Sequence, residues 1–498
     1  MLIHPPVAKA SEPPPGLAAL AGALGPTVPL IDANLQGLYH LLSHNLPDDK
    51  PQAQRVWRQR LDHWAALKQM ASYRSVDHYN RLVTELERVL SAGHRPTKIG
   101  LADYLDPHAS PVRSADLLRE AETPERNAFF NYYNDVLLPA IEKAAPAWIG
   151  LSVNFMSQAL PAFALIGMLK ERWPMLPVVI GGGLITSWMA LDSWNNPFSG
   201  LVDHLIPGAG EAALAQWTGF TGHLNAPPDY SQLSTADYLS PVSVLPYAAS
   251  RGCLWHRCRF CPEVAEAIAY RPHAISKART DLQQLIASHR PGLLHLVDSA
   301  LSMRLVDSFV TSPLPVPWYG YLRFEDRLLD IDFCRALEAS GCAMIKLGLE
   351  SGSQRVLDAL DKGIVVQKAG QILNNLKAAG IHTFVYVLFG TPPETETEAL
   401  ETLAFVEKHS EAITYLNTAL FLLPRHSPLA ATVETADFSA GDLSLYTGFT
   451  HPADWSRRAL RHFVDRTWKR HPAVAPILRR TPRVFTSNHA PFFKNARF

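Results

Sequence analysis

Three cysteines stand within nine residues in the stretch RGCLWHRCRFCPE: Cys253, Cys258 and Cys261. Thiolates bind soft metals, and cysteines clustered in one loop can wrap a single metal centre. A tetrahedral structural zinc wants four ligands. Three cysteines are present, with His256 a conceivable fourth. On a four-iron cluster, three cysteines leave one iron open to a substrate or cofactor, and metal chemistry needs such an open position. The other two cysteines, Cys334 and Cys342, fall on a helical pattern and near a strand start, and read as buried, idle thiols.

The elements that must position this loop belong to a second α/β series. Its strand candidates are Val244 to Ala248, Leu293 to Val297, Trp318 to Tyr321, Met344 to Gly348, Thr383 to Phe389 and Asn417 to Leu423. Helical patterns separate most of them, notably Phe333 to Ser340, Gln354 to Leu360 and Lys368 to Ala379. Gly341 and Gly380 stand where helices should end. Six strand–helix units predict a partial (β/α)6 barrel with its site at the carboxyl ends of the strands. The cysteine loop follows the first of them.

An earlier series reads as a Rossmann-like parallel sheet: Met1 to Ile3, Val28 to Ile31, Trp148 to Val153, Pro177 to Ile180 and Leu201 to Ile206. The last three end near Ser152 and Asn154, at Gly181-Gly182-Gly183, and before Gly208. Ligands bind outside such strand ends. The domains expected are residues 1–225, with a helical insertion at about 48–145, a Pro- and Ser-rich linker at 226–243, the barrel at 244–430 and a C-terminal extension at 431–498. From Arg457 onward that extension holds eleven Lys/Arg and one acidic residue, Asp465. It reads as a solvated, partly helical appendage, with a surface for an acidic substrate or carrier as the alternative.

The composition limits the function classes. With 498 residues, about three domains are expected. Apolar residues at 47% support a large core and argue against global disorder. The 46 basic and 46 acidic residues cancel, so no duplex DNA partner is expected. Five cysteines make no secreted disulfide scaffold, and the start MLIHPPVAKASEPPPG has no signal-peptide pattern. Pro146 to Leu169 carries no charge but is broken by Ser152, Asn154, Ser157, Gln158 and Pro161. It reads as a buried strand running into a helix, not a membrane span. A cytoplasmic protein is expected.

On these motifs the chain resembles the radical S-adenosylmethionine superfamily. The last cysteine spacing fits, with Phe260 just before Cys261, while the first has four residues, Leu254 to Arg257, where the family usually has three. MIKLGLESGSQRVLDALDKG, VYVLFGTPPET, LHLVDSAL and YLRFE look like the family's fourth, fifth, second and third strand ends. The resemblance implies a [4Fe–4S] cluster on Cys253, Cys258 and Cys261. It places S-adenosylmethionine against Phe260, Asp298, Ser299, Arg323, Glu350 and Gly390. An electron donor such as flavodoxin or ferredoxin is implied.

The first 225 residues resemble the cobalamin-binding domain that precedes the barrel in one subfamily. PPPGLAAL, VPLIDANLQG, WIGLSVNF, VVIGGGLIT and HLIPGAGEAAL occur in that domain's order. The resemblance implies cobalamin near Ser152, Asn154, Gly181, Gly182, Gly183 and Gly208. The frame Asp32-Ala-Asn34-Leu-Gln-Gly37 has Asn where that domain's ligand motif has His, and it follows the second strand instead of the first. It therefore reads as coincidence. His4 reads as structural. The implied reaction is methylation of an unactivated carbon after a 5′-deoxyadenosyl radical removes hydrogen. The alternatives are a non-methylating radical enzyme with a vestigial first domain, or a non-catalytic metal-binding partner. The substrate, whether peptide, lipid or small natural-product precursor, is not legible from the fold.

Overall fold

A computed structural model of the chain describes residues 1–47, 50–220, 223–436 and 441–493. The expected start of the insertion at residue 48, and parts of the expected C-terminal extension, lie outside the described residues. The chain forms two compact units. One holds Met1–Val244 and a short segment ending at Leu445; the other holds the rest from Leu245 on.

In the first unit, β1 (Leu2–His4), β2 (Leu30–Asp32), β3 (Ile149–Ser152), β4 (Val178–Gly181) and β5 (His204–Ile206) form one sheet. Its order is β2-β1-β3-β4-β5, and all its neighbours are parallel. The strands are short and mostly buried, because helices cover such sheets on both faces. The chain order reverses between β1 and β3, so their carboxyl ends flank the crevice where doubly wound sheets take ligands. The uncharged stretch resolves into β3 and helix Met156–Arg172. Among the described residues no helix is long and apolar enough to cross a membrane. That helix is crossed closely by helix Ser114–Glu122: a Cβ on Gly167 would lie 1.9 Å from the Ala121 carbonyl.

The stretch expected as a linker is anchored to this unit. Tyr230, Leu233, Tyr238 and Leu239 are buried. The Leu239 amide donates to the Ala10 carbonyl at 2.8 Å, and the Tyr238 hydroxyl to Asp32 at 2.6 Å. The four buried side chains hold the stretch in place, since each buries surface on the order of 1.5–3 kcal/mol.

In the second unit, β6 (Val244–Tyr247), β7 (Leu293–Leu296), β8 (Trp318–Leu322), β9 (Cys342–Glu350), β10 (His382–Phe389) and β11 (Tyr415–Leu420) follow one another in a six-stranded parallel sheet. Sequential order is what right-handed strand–helix–strand connections produce. Gly380 caps helix Val366–Ala379 at φ +85°, as its position suggested.

The C-terminal segment is not a solvated appendage. Phe463, Trp468, Val474, Ile477, Phe485 and Phe492 are buried. Arg480 donates to the Thr414 and Ile413 carbonyls, both at 2.6 Å, and the Leu416 amide donates to Thr481. The basic residues alternate with apolar ones that pack inward, and the segment covers the open edge at β11, which would otherwise expose unpaired backbone groups. Residues 441–445 depart from the expected boundary. Leu443 and Asp442 bond to Val112 and Ser114 of the first unit.

Candidate active site

The cysteine loop leaves the carboxyl end of β6. All five cysteines are free thiols; Cys258 is buried, while Cys253 and Cys261 are half-buried. The loop is pinned on both sides. The Arg259 amide donates to the Leu360 carbonyl at 3.0 Å, and the Leu429 amide to the Arg259 carbonyl at 3.2 Å. Phe260 packs on the apolar cluster of Val356, Leu360, Phe421, Leu423 and Leu429. The extra residue between the first two cysteines is taken up locally. His256 adopts φ +45°, and Trp255 folds onto Gly363 with its indole N–H on the Asp361 carbonyl at 2.8 Å.

Burial pushes the Cys258 thiol up, while the nearby Lys362 and Arg323 cations oppose it. Burial also pushes Cys261 up, to about 11, against the Glu263 and Val264 amides. Among the described residues no three His, Cys, Asp or Glu side chains converge as one metal ion would require. A cubane differs from a single ion, because each thiolate takes its own iron. The chemistry of the donor set fits a [4Fe–4S] cluster: three thiols on one loop, with two cations beside them.

Asp298 and Ser299 follow β7. Asp298 is buried and accepts from the Ala249 amide at 3.0 Å and from the Ser250 hydroxyl. Burial raises its carboxyl, against these bonds. Ser299 is exposed and donates to Glu263, two residues past Cys261. Both residues therefore hold the entry and exit of the cysteine loop. Arg323, after β8, lies 4.3 Å from the Trp255 ring centre and donates to the Lys362 carbonyl at 2.5 Å. No bond between Arg323 and Asp298 occurs among the described residues.

Glu350 closes β9 in an uncommon conformation, φ +65°, where the register against β10 shifts between Gly348 and Glu350. Such a bulge re-aims a side chain, and left-handed strain at a non-glycine residue is most often found at functional positions. Its carboxylate meets Lys362 at 2.7 Å, both side chains being mostly buried. Gly348 leaves room for that pair: a Cβ there would lie 2.5 Å from the Glu350 oxygen. Gly390 follows β10 at φ +85° and is buried under Leu460.

Sequence reasoning missed several of these neighbours. Lys362 lay within a quoted motif, but only the fold brings it to Glu350. Lys346 was the more legible signal, a cation in the middle of a buried strand. Its ammonium lies 2.7 Å from His295 Nε2 and 4.1 Å from the Tyr321 ring centre. The Tyr321 and Tyr386 rings are 5.4 Å apart, and burial raises both phenols.

In the first unit the expected residues gather at the crevice. Asn154 accepts from the Gly183 amide at 2.9 Å and donates to the Ser152 hydroxyl at 3.1 Å. Gly182, at φ +107°, is required by the chain's own packing, since a Cβ would lie 2.5 Å from the Val153 carbonyl. Gly208, at φ +67°, is exposed with open space where a Cβ would point. His4 is buried with Nδ1 at 3.4 Å from Gln158, and burial lowers its affinity for a proton. Asp32 caps the following helix through the Leu35 amide, and Asn34 clasps Ala8 through both its amide groups.

No family model matches the chain. An uncharacterised methyltransferase of Pyrococcus horikoshii is 25% identical over 194 residues, 36% of this chain and 40% of that protein. The anaerobic magnesium-protoporphyrin IX monomethyl ester cyclase of Cereibacter sphaeroides is 25% identical over 187 residues, 35% of this chain and 30% of that protein. The chain thus matches less than half the length of either relative. Among solved structures, the cobalamin-dependent S-adenosylmethionine radical enzyme OxsB with aqua-cobalamin bound gives a TM-score of 0.53 at 14% identity, covering 66% of this chain and 60% of that one. Over those residues the chain shares the fold of OxsB. OxsB with both aqua-cobalamin and S-adenosylmethionine bound aligns over the same shares with the same TM-score. The expected pair of parallel α/β sheets, Rossmann-like and then barrel-like, is therefore the observed one.

Proposed function

We propose that the chain holds a [4Fe–4S] cluster on Cys253, Cys258 and Cys261 and binds S-adenosylmethionine at the carboxyl ends of β7 to β10. One observation carries this reading: three free thiols leave β6 on one pinned loop, beside two cations, in a fold shared with OxsB. When bound, the cluster supplies the electron that cleaves the sulfonium, giving methionine and a 5′-deoxyadenosyl radical.

The chain's own residues do the positioning. Asp298 and Ser299 fix the two ends of the cysteine loop through Ser250 and Glu263. Glu350, turned by its bulge, offers a carboxylate to the cofactor's amino group in exchange for Lys362. Arg323, held by Trp255, offers a guanidinium to the cofactor's carboxylate. Tyr321 and Tyr386, hydrogen-bonded to each other, give the barrel interior a pair of phenols that stay protonated, one of which can donate to a polar substrate group. The electron comes from a reductant of the flavodoxin or ferredoxin kind.

We further propose that the first unit takes cobalamin at the ends of β1, β3, β4 and β5, which when bound supplies a methyl group. The open space over Gly208 fits a ring approached by backbone. His4, Asp32 and Asn34 are committed to internal bonds, so cobalamin would bind with water or no ligand from these three below cobalt, and the second reading is a radical enzyme that does not methylate and whose first unit binds no cobalamin.

The test is anaerobic purification from cobalamin-fed cells, followed by iron, cobalt and 5′-deoxyadenosine assays with dithionite and S-adenosylmethionine. About four irons per chain, bound cobalt and deoxyadenosine are expected. Iron and deoxyadenosine without cobalt select the second reading. Cys258→Ala should lose both cluster absorbance and cleavage; retained cleavage refutes the assignment.

A further inference from the structure

The turn after β10 contains a carboxyl group that the reading above does not use. Glu394 is 0% exposed. Its Oε2 accepts the Gly390 amide, and the Thr391 amide also bonds to the carboxyl group. Its Oε1 has no partner, and neither does the buried Thr391 hydroxyl in the same turn. Among the described residues no cation pairs with it. His451 supports the turn from outside, with Nε2 at 3.1 Å from the Thr391 carbonyl.

The charged groups around the turn are accounted for. Glu398, on helix Glu396–Lys408, pairs with Arg355, which also donates to the Pro393 carbonyl at 2.6 Å. Asp454 lies beside His451. Arg457, Arg458 and Arg461 lie on the helix whose Leu460 covers Gly390. Burial pushes Glu394 up to about 8, against the Gly390 and Thr391 amides and with help from Glu398. Burial also tends to raise Glu398, but the Thr395 hydroxyl and amide and Arg355 hold it down to about 2. The environments of these two carboxyl groups, four residues apart, thus push them in opposite directions.

A carboxylate with no access to water, no cation beside it and one oxygen unpaired is unfavourable even with two amides on the other side, so ionising Glu394 favours opening of the turn. We propose that Glu394 is a positioning residue: its protonated carboxyl group keeps the Gly390 turn closed, and its ionisation releases the turn. The inference rests on the reading that places S-adenosylmethionine against Gly390. It makes cofactor binding depend on alkaline pH through a residue that need not touch the cofactor.

The experiment uses the reconstituted full chain and two readouts between pH 6.5 and 9.5. Equilibrium dialysis gives the S-adenosylmethionine affinity, and hydrogen exchange reports on the peptide around residues 388–396. Glu394→Gln keeps the shape of the neutral acid and cannot ionise. The wild type should bind about tenfold more weakly at pH 9 than at pH 7, since about one molecule in eleven then keeps the closed turn. Glu394→Gln should hold its affinity across the range, and Glu394→Ala should bind weakly throughout. The ligand's own amine titrates nearby, so the ratio of wild type to Glu394→Gln carries the result. In the wild type alone, exchange in the turn should accelerate above pH 8 relative to Glu394→Gln. Identical pH profiles for the two proteins in both readouts overturn the proposal. If neither protein binds the cofactor at any pH while the exchange difference persists, the cofactor reading fails and the positioning role of Glu394 stands.

Discussion

Replacing Gly363 by alanine should dislodge the cysteine loop from a distance of about a hundred residues in sequence. Gly363 has φ +67°, and a Cβ there would lie 2.2 Å from Trp255 Cζ2 and 2.5 Å from Cη2. The left-handed backbone alone costs alanine about 1–2 kcal/mol. The indole must also move. Moving it forfeits its bond to the Asp361 carbonyl, about 1 kcal/mol. It also forfeits the stacking of Arg323 and Arg257, at 4.3 and 5.0 Å, about 0.5–1 kcal/mol each. The expected loss is about 3–5 kcal/mol, or on the order of 10 °C in the melting of the second unit. Differential scanning calorimetry measures the loss, and iron content after reconstitution reports whether the loop still holds a cluster. Trp255→Ala supplies the control. In that background Gly363→Ala should cost only the backbone part, so the two changes should couple by about 2–3 kcal/mol. Full additivity of the pair, or a Gly363→Ala protein that melts and loads iron like the wild type, would refute the argument that Trp255 fixes the loop.

Two other outcomes follow from the same geometry. Lys362→Met leaves Glu350 mostly buried without its partner and should destabilise the second unit by about 1–3 kcal/mol in urea unfolding, with Lys362→Arg recovering most of the loss. Glu394→Gln should change how stability depends on pH. The folded value of Glu394, about 8, lies above its ordinary 4.5, so its contribution is fully present below 4.5 and is lost as pH rises to about 8. The variant lacks this slope. Its advantage over wild type should grow across that window and level off above it, with a ceiling of about 5 kcal/mol, and urea titrations at pH 5, 7 and 9 would show a constant difference if the reasoning is wrong.

The cysteine triad, the two sheets and most strand positions were legible because they are local. Three thiols within nine residues need no tertiary information, and short apolar runs alternating with helical patterns predict parallel strands wherever they lie. Positions with special backbone needs, such as Gly380, were legible for the same reason.

Contacts between distant segments were not legible. The sequence named Glu350 but not Lys362 as its partner, because the bulge that turns Glu350 depends on β10 pairing beside it. It named Asp298 but not the Ala249 amide and Ser250 hydroxyl from which its carboxylate accepts. Composition misjudged the linker and the basic tail, because a few apolar anchors such as Tyr238 and Trp468 decide docking among many polar neighbours. Glu394 looked like one acidic residue in a proline-rich turn. Only burial under the surrounding chain raises its carboxyl, because water that would stabilise its charge is excluded by residues remote in sequence. The sequence alone determined which atoms can do chemistry; the tertiary structure decided which of them are already occupied, because desolvation and pairing arise only when distant segments pack together.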